Sequence, residues 1–505
     1  MDYQDGFGTI YVRQVIVSLD DFGRTMRTHS LKINAVLNMI RRGSAMVFPL
    51  ITFSYASHKL GASGMGAYSF SQSVISYFLL LAALGISTYA VREGQAYRGD
   101  IETLKIFISE VYTINLIMTV ISYIALALLL LGWSKLTDYS QIILILSISI
   151  ILTTLGADWV NTLLEDYLFI TIRYIVVQVF CLVVLVFLVK EPGDVYKYAV
   201  IGMLSSVGGN LLNIVHIRKK IFFHLTIRPN FKKHLIPMFT LFSNSLAIKI
   251  YLLADVTILG IFFADNYVGY YSAASKVYTS IKEMLNAMIL VTVPRFSFYL
   301  AHDNKEEYYS SYKKVFDSVV TLIVPCIVGL LFQADNILYF LGGQDYVNGA
   351  GALRILAFAM FFAVSACLFS QSILIPNKQE KYFLKATIVS AIVNIGLNFI
   401  LIPLWGIGAA AFTTLLSEAV VCAMTFYIGR KYIDSIVIFN SDVKSTLIGT
   451  MGVIIVCAVC AFLLEERFAN LAVSVSVSCL VYFVITFCMG NHIVRKIIKA
   501  FLEKL

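Results

Sequence analysis

The sequence predicts an all-α polytopic membrane protein of about 14 transmembrane helices, and three observations carry that prediction. Of its 505 residues, 59% are hydrophobic and 14% are charged, whereas soluble domains carry roughly 25% charged residues. Apolar runs of the roughly 20 residues that cross a bilayer recur along nearly the whole length. These runs do not alternate polar and apolar residues, which argues against a strand-built barrel.

The spans follow in order at 33–56, 69–90, 105–131, 140–157, 168–189, 196–215, 235–261, 268–294, 315–341, 352–375, 384–404, 407–429, 446–464 and 469–490. Connections are short, and none is long enough to fold as a separate domain. Residues 1–30 form a polar N-terminal tail without a cleavable signal peptide. Met26 opens MRTHSLKIN, a short basic lead into the first span, and is expected to be the true start. The eight cysteines fall inside apolar runs, where they read as small hydrophobes.

Basic residues orient the spans. With the N-terminus inside, 28 of the 39 lysines and arginines fall on the cytoplasmic side. Lys59, Lys135, Lys190, Lys197, Arg354 and Arg467 fall outside. The densest cluster is HIRKKIFFHLTIRPNFKKH at 216–234. This asymmetry places both termini in the cytoplasm. The net charge of +9 therefore reports topology, and nucleic acid is not an expected partner.

An internal repeat organises the spans. GAYSFSQSV at 66–74 and GYYSAASKV at 269–277 share four of nine positions, each opening a span. EDYLFITI at 165–172 echoes EKYFLKAT at 380–387 more weakly. Spans 1–6 and 7–12 thus form two six-helix lobes related by a parallel pseudo-two-fold repeat. The lobes take residues 31–217 and 235–430, with a basic linker at 218–234 between them. Residues 431–505 add two helices and a basic cytoplasmic tail.

Five cations remain inside spans: Arg41, Arg42, Lys249, Lys276 and Lys282. An ionisable group within a membrane segment marks function until shown otherwise. In span one, Asn34, Asn38 and Arg41 share a face, with Arg42 at its edge. Span two carries Gln72 and Ser76. Span seven carries Asn244 and Asp255, with Lys249 off that face. Span eight carries Lys276, Thr279, Ser280 and Glu283 on one stripe, flanked by Lys282. These are repeat-equivalent helices, and their polar faces suit one central cavity, cationic on balance. Alternatives stay open: the arginines could snorkel to the interface, Lys276 or Lys282 could neutralise an acid on another helix, and Glu418 in span twelve is either a cavity acid or a packing residue. Pro49 is expected to bend span one.

No P-loop, dinucleotide fingerprint, G-x-S-x-G or H-E-x-x-H motif is present, and the seven histidines have no metal-ligand spacing. Enzyme chemistry is therefore not expected. The exterior loops near 190–195 and 342–351 are too short for a polysaccharide polymerase. A drug or metabolite exporter of the same architecture should prefer acidic cavity residues.

LGASGMGAYSFSQSVISYF with LGISTYAVREGQAYRGD strongly resembles the N-terminal hallmark of Wzx-type polysaccharide flippases. LGADWVNTLLEDYLFITIR (155–173), ADVTILGIFFADNYVGYYSAASKVYTSIKE (254–283) and NIGLNFILIPLWGIGAAAFTTLLSE (394–418) resemble the family too, in order over residues 31–430. The resemblance implies a V of two lobes opening alternately inward and outward, within the superfamily that includes MATE exporters and peptidoglycan-precursor flippases. It implies flipping of undecaprenyl-pyrophosphate-linked oligosaccharide across the bacterial inner membrane for O-antigen, capsule or similar polymers. Arg41 or Arg42 matches the family's first-helix arginine. The chain departs in carrying lysines in span eight, and in having fourteen spans where twelve are commonly described.

On this reading the five cations hold the pyrophosphate, and Asn34, Asn38, Gln72, Ser76, Asn244, Thr279 and Ser280 face the sugar. Asp255, Glu283 and Glu418 are the candidates for coupling to an H+ or Na+ gradient or to the membrane potential. No cofactor is expected. The expected partners are the lipid-linked oligosaccharide, the bilayer, and a polysaccharide polymerase with its chain-length regulator.

Overall fold

The computed structural model describes residues 31–221, 223–432 and 440–496. The Met26 start and the end of the basic tail lie outside them. Among the described residues the chain is helical and contains no strand. The helices are α1 (Leu31–Ala83), α2 (Ile86–Gly94), α3 (Ile101–Gly132), α4 (Ser140–Gly156), α5 (Asp158–Leu163), α6 (Tyr167–Leu188), α7 (Val195–Val207) and α8 (Gly209–Lys220). They continue as α9 (Phe231–Phe262), α10 (Asp265–Leu290), α11 (Val293–Ala301), α12 (Lys305–Gly342), α13 (Ala350–Phe369), α14 (Glu380–Gly429), α15 (Ser441–Leu463) and α16 (Arg467–Cys488).

Helix starts follow local chemistry. Asp100, Asn304 and Asn440 cap α3, α12 and α15, each side chain accepting a backbone N–H of the first turn. Breaks follow glycine: α1 leaves helical geometry at Gly61 (φ +67°) and α14 at Gly406 (φ +59°), where a Cβ would be strained. Pro49 and Pro403 both stay within helical backbone. The break in α1 thus falls not at Pro49 within span one but at Gly61, twelve residues on and past that span's expected end at 56. The alanines that follow Gly406 (Ala409, Ala410, Ala411) are fully buried, as close helix packing requires.

Among the described residues ten helical stretches are long and apolar enough to cross a membrane, or eleven when the 51° bend between Phe231–Ser243 and Ile248–Phe262 is read as one span. α4 is apolar but shorter. Their outward faces expose large apolar side chains such as Leu131, Leu404 and Phe462, as a lipid-facing surface should.

The chain divides into two compact units. The first holds 74–189 and 196–246 together with the start of α1. Its core gathers α2, α3, α5 and the start of α9 around Tyr89, Phe107 and Trp159. Polar groups inside it are paired across helices: Asn115 donates to the Ala82 carbonyl, Thr119 bonds Thr154, and Ser122 donates to the Phe78 carbonyl. Without water in the bilayer core, buried polar groups need such partners. Tyr89, buried His234 and Glu110 form a chain, with His234 Nδ1 2.7 Å from the Tyr89 hydroxyl and Nε2 2.9 Å from Glu110.

The second unit holds Phe53–Ser73, Lys190–Val195 and the chain from Ala247 onward. Gly66 and Gly269, the equivalent glycines of the repeated segments, stand here backbone against backbone. A Cβ on Gly66 would overlap the Asp265 carbonyl, and one on Gly269 the Ala62 carbonyl. Tyr346 donates to the Gly61 carbonyl at 3.1 Å, and Thr257 to Ser73 at 3.0 Å. α15 and α16 pack on α12 through polar contacts, Thr321 with Thr446, Tyr482 with the Thr321 carbonyl, and Gln333 with Asn470.

Candidate functional site

The second unit holds a small, partly open pocket between α9, α10, α13 and α14, lined by Asp255, Tyr271, Tyr278, Lys282, Thr414 and Glu418 among others. Helical spacing builds it. Tyr271, Ser275, Tyr278, Thr279 and Lys282 recur at three and four residues along α10, so one face of that helix supplies them. Thr414 and Glu418 stand one turn apart on α14, as do Asn394 and Asn398 earlier in the same element.

Asp255 is buried and accepts four hydrogen bonds: from Tyr271 at 2.5 Å, Thr414 at 2.6 Å, Asn398 at 2.6 Å and Asn394 at 3.4 Å. Four donors from three other helical segments replace the water that a carboxylate loses in this setting. Glu418 accepts from the Tyr278 hydroxyl at 3.0 Å and from Lys282 Nζ at 3.3 Å. The Lys282 ammonium also lies 4.8 Å from the Tyr278 ring centroid. Both partners of the ion pair are 9% exposed, so it is a buried pair. Two carboxylates and one ammonium give the pocket an acidic balance when all are ionised.

The expected site residues therefore separate. Asp255, Thr279, Lys282 and Glu418 come together in this pocket. Lys276, six residues before Lys282, is half-buried, and its ammonium has neither an acidic partner nor a hydrogen bond among the described residues. Ser280 is half-buried on the same helix, whereas Glu283 and Lys249 are exposed. Gln72 takes a long contact of 3.5 Å from Tyr68, and Ser76 is half-buried in the first unit. Arg41 is half-buried there as well, within electrostatic reach of Tyr174 on α6. The side chains of Asn34, Asn38, Arg42 and Asn244 lie outside the described ones.

Several participants carry no charge signal in the sequence. Tyr271, Tyr278, Asn394, Asn398 and Thr414 hold the two acids, and only their three- and four-residue spacings announce a shared face. Arg173 is a further in-span cation that the positive-inside pattern assigns to the interface. It is buried and bonds Asp158 at 2.7 Å. At the foot of α6, Asp166 accepts from Lys220 at 2.6 Å and His216 at 2.7 Å. Burial alone would raise its carboxyl, but those two bonds outweigh it and hold the group below the ordinary carboxylate value.

Among the described residues no group of three or more His, Cys, Asp or Glu side chains converges as metal ligands do. Asp255 instead is a single carboxylate among hydroxyl and amide groups, with oxygen the only hard donor type at hand. Such hard donors suit a proton or an alkali cation better than a transition metal.

Comparison with known proteins bears on this arrangement. The family model described as "Polysaccharide biosynthesis protein" matches residues 31–300. A putative O-antigen transporter of Escherichia coli (strain K12) is 22% identical over 409 residues, covering 80% of this chain and 97% of that protein. The solved structure of the lipid II flippase MurJ, in an inward closed conformation, superposes with a TM-score of 0.72 at 16% identity, over 92% of this chain and all of that one. An inward-facing MATE family multidrug resistance transporter gives a TM-score of 0.60 at 14% identity, over 76% of this chain and 93% of that chain. At these identities the two structures speak for the fold alone.

Proposed function

The chain belongs to the polysaccharide biosynthesis protein family, and from that premise we propose that it is a flippase for lipid-linked oligosaccharide. The protein is a multi-pass membrane transporter rather than an enzyme. Its proposed cargo is an undecaprenyl-pyrophosphate-linked repeat unit, moved from the cytoplasmic to the outer leaflet of the bacterial inner membrane. A single observation carries the reading: among the described residues the Lys276 ammonium, on an apolar membrane helix, has no acidic partner. A cation held there without a counter-ion is costly, and an incoming pyrophosphate would offset that cost. Loading would then favour the closed, loaded state, which is how differential affinity drives a conformational change.

In this mechanism Lys276 meets the diphosphate as a point charge. Ser280, Thr279 and Gln72 replace water around sugar hydroxyls, while the polyprenyl tail stays in lipid. The proposed topology has fourteen spans with both termini cytoplasmic. Counting α1 and α14 as two spans each, α9 as one and α4 as a short one supports that number. Asp255 is the proposed coupling group, because turning the Asn398 amide over would present an oxygen beside the carboxylate and complete a site for a small cation.

A second reading, a cation-coupled exporter of drugs or metabolites, draws on the acidic balance of the Asp255–Glu418 pocket. Against it, Lys282 neutralises Glu418 and four donors saturate Asp255, which leaves neither carboxylate open to an organic cation.

The test is made in cells lacking the protein, restored with wild type, Arg41→Ala or Lys276→Ala at equal membrane levels. Lipid-linked units should accumulate on the cytoplasmic face in the deletion and in the Lys276→Ala strain, read with an external glycan-specific probe. Unchanged surface glycan in the deletion, with no other flippase present, would remove this substrate class and turn attention to efflux.

A further inference from the structure

Between α8 and α9, residues 223–230 lie against α3, and the helix holds them there by its side chains. The His224 backbone N–H donates to Ser109 Oγ at 3.3 Å, Thr226 to Thr113 Oγ1 at 3.0 Å and Asn230 to a Glu110 carboxylate oxygen at 3.1 Å. The Phe223 ring packs on Tyr112, with centroids 5.0 Å apart. His234 closes the far end on the other Glu110 oxygen at 2.9 Å. The segment is thus fixed in place, with His224 and Thr226 held by Ser109 and Thr113, one turn apart on α3.

What it presents outward is unusual for a fixed loop. Ile227 is 97% exposed and Leu225 62%, with Phe231 also exposed. Arg228, Lys232 and Lys233 stand exposed among them. No acidic residue occurs between His216 and His234, and the nearby Glu110 is consumed by the anchoring. Lys233 lies 5.2 Å from the Tyr97 ring centroid, but Arg228 and Lys232 have no acidic partner among the described residues. A fully exposed apolar side chain beside them fits neither a soluble loop nor a hydrocarbon-buried one.

Its depth resolves the conflict. At 1.5 Å per residue, the 32 residues of α3 reach about 48 Å, against a hydrocarbon core of roughly 30 Å. The far end of α3 stops at Gly132, followed by Trp133, a residue type that marks the membrane interface. Counting back about 20 residues of hydrocarbon from there arrives at the anchors Ser109, Glu110 and Thr113. The segment consequently lies at the boundary between acyl chains and headgroups.

We propose that residues 223–233 form a docking surface for the anionic phospholipids of the bilayer. Leu225, Ile227 and Phe231 enter the upper acyl region, and Arg228, Lys232 and Lys233 meet headgroup phosphates. This holds whatever the cargo of the transporter.

The test uses the full-length Ile227→Trp protein in phosphatidylcholine vesicles that carry either brominated phosphatidylcholine or brominated phosphatidylglycerol at the same low fraction. The unsubstituted protein gives the background of its three native tryptophans. The added tryptophan should be quenched by both lipids, and by the glycerol lipid roughly five-fold more efficiently for each charge it meets. The preference should fall in high salt and disappear in an Arg228→Gln/Lys232→Gln background while the quenching itself persists. Equal quenching by the two lipids, or quenching by neither, would overturn the proposal. So would loss of the preference on adding inorganic pyrophosphate, which would make the surface a soluble-phosphate site.

Discussion

Gly66 and Gly269 occupy the same position in two copies of one sequence motif, and in the folded chain their helices cross where those glycines meet. The Cα of each lies against the backbone of the other's helix, with the Asp265 and Ala62 carbonyls in the space a Cβ would take. The repeat thus appears at a point of contact, and the identity shared there has a steric cause.

Gly66→Ala should accordingly force the two helices apart. Overpacking of this kind destabilises by roughly 1–3 kcal/mol, because the obstacle is backbone carbonyl rather than a flexible side chain. Gly396 makes the contrast: it is exposed on α14, and a Cβ there meets nothing within 4 Å. Gly396→Ala should stabilise by up to about 1 kcal/mol through helix propensity. Thermal unfolding of the two purified variants in detergent checks the opposite signs, and a Gly66→Ala protein as stable as wild type would sink the steric account.

The two lysines of α10 should respond oppositely to removal. Lys282→Ala strands Glu418 as an uncompensated buried charge and should cost about 3–5 kcal/mol. Replacing both partners, Lys282→Met with Glu418→Leu, should recover most of that loss. Lys276→Met has no partner to strand, so its stability should match or exceed wild type while glycan export fails. A double-mutant cycle on unfolding temperatures, run beside the export assay, separates the two roles.

Much of this was legible beforehand. Apolar runs mark the helices, the paired motifs mark Gly66 and Gly269 as equivalent, and the stripe on α10 holds Thr279 and Lys282, which line the pocket. A helical wheel states which residues share a face but not which neighbour that face meets. Lys282 finds its acid 136 residues away, so nothing local distinguishes it from Lys276, which meets no acid among the described residues. Asp255 was visible as a charge in a span, but its four donors are uncharged and come from distant segments. Arg173 escaped notice because one turn and a half from a helix end reads as interface, whereas Asp158 turns it inward.

Acid should loosen the foot of the first unit. Asp166 has its carboxyl depressed in the folded state by Lys220 and His216. A depressed carboxylate contributes stability that is present above its unfolded value, near 3.9, and that is lost as pH falls through the lower folded value. The melting temperature of the purified protein should therefore drop below about pH 4, and Asp166→Asn should show a shallower drop from a lower neutral-pH value. Parallel curves for the two proteins would show that this carboxylate does not report the transition.

Asp255→Asn tests whether the saturated carboxylate is a coupling group or a packing device. The substitution keeps the shape, and the Tyr271 and Thr414 hydroxyls can rotate to bond an amide oxygen, so the fold should survive with a loss of about 1–2 kcal/mol. The charge, however, is gone, and with it any site for a proton or alkali cation among Asn394, Asn398 and Thr414. Export of lipid-linked glycan into the outer leaflet of vesicles should then cease to respond to an imposed pH or sodium gradient, while Glu418→Gln, which alters the neighbouring ion pair, should retain the response. If Asp255→Asn export still follows either gradient as wild type does, the shell around Asp255 serves the fold, and the driving ion binds elsewhere.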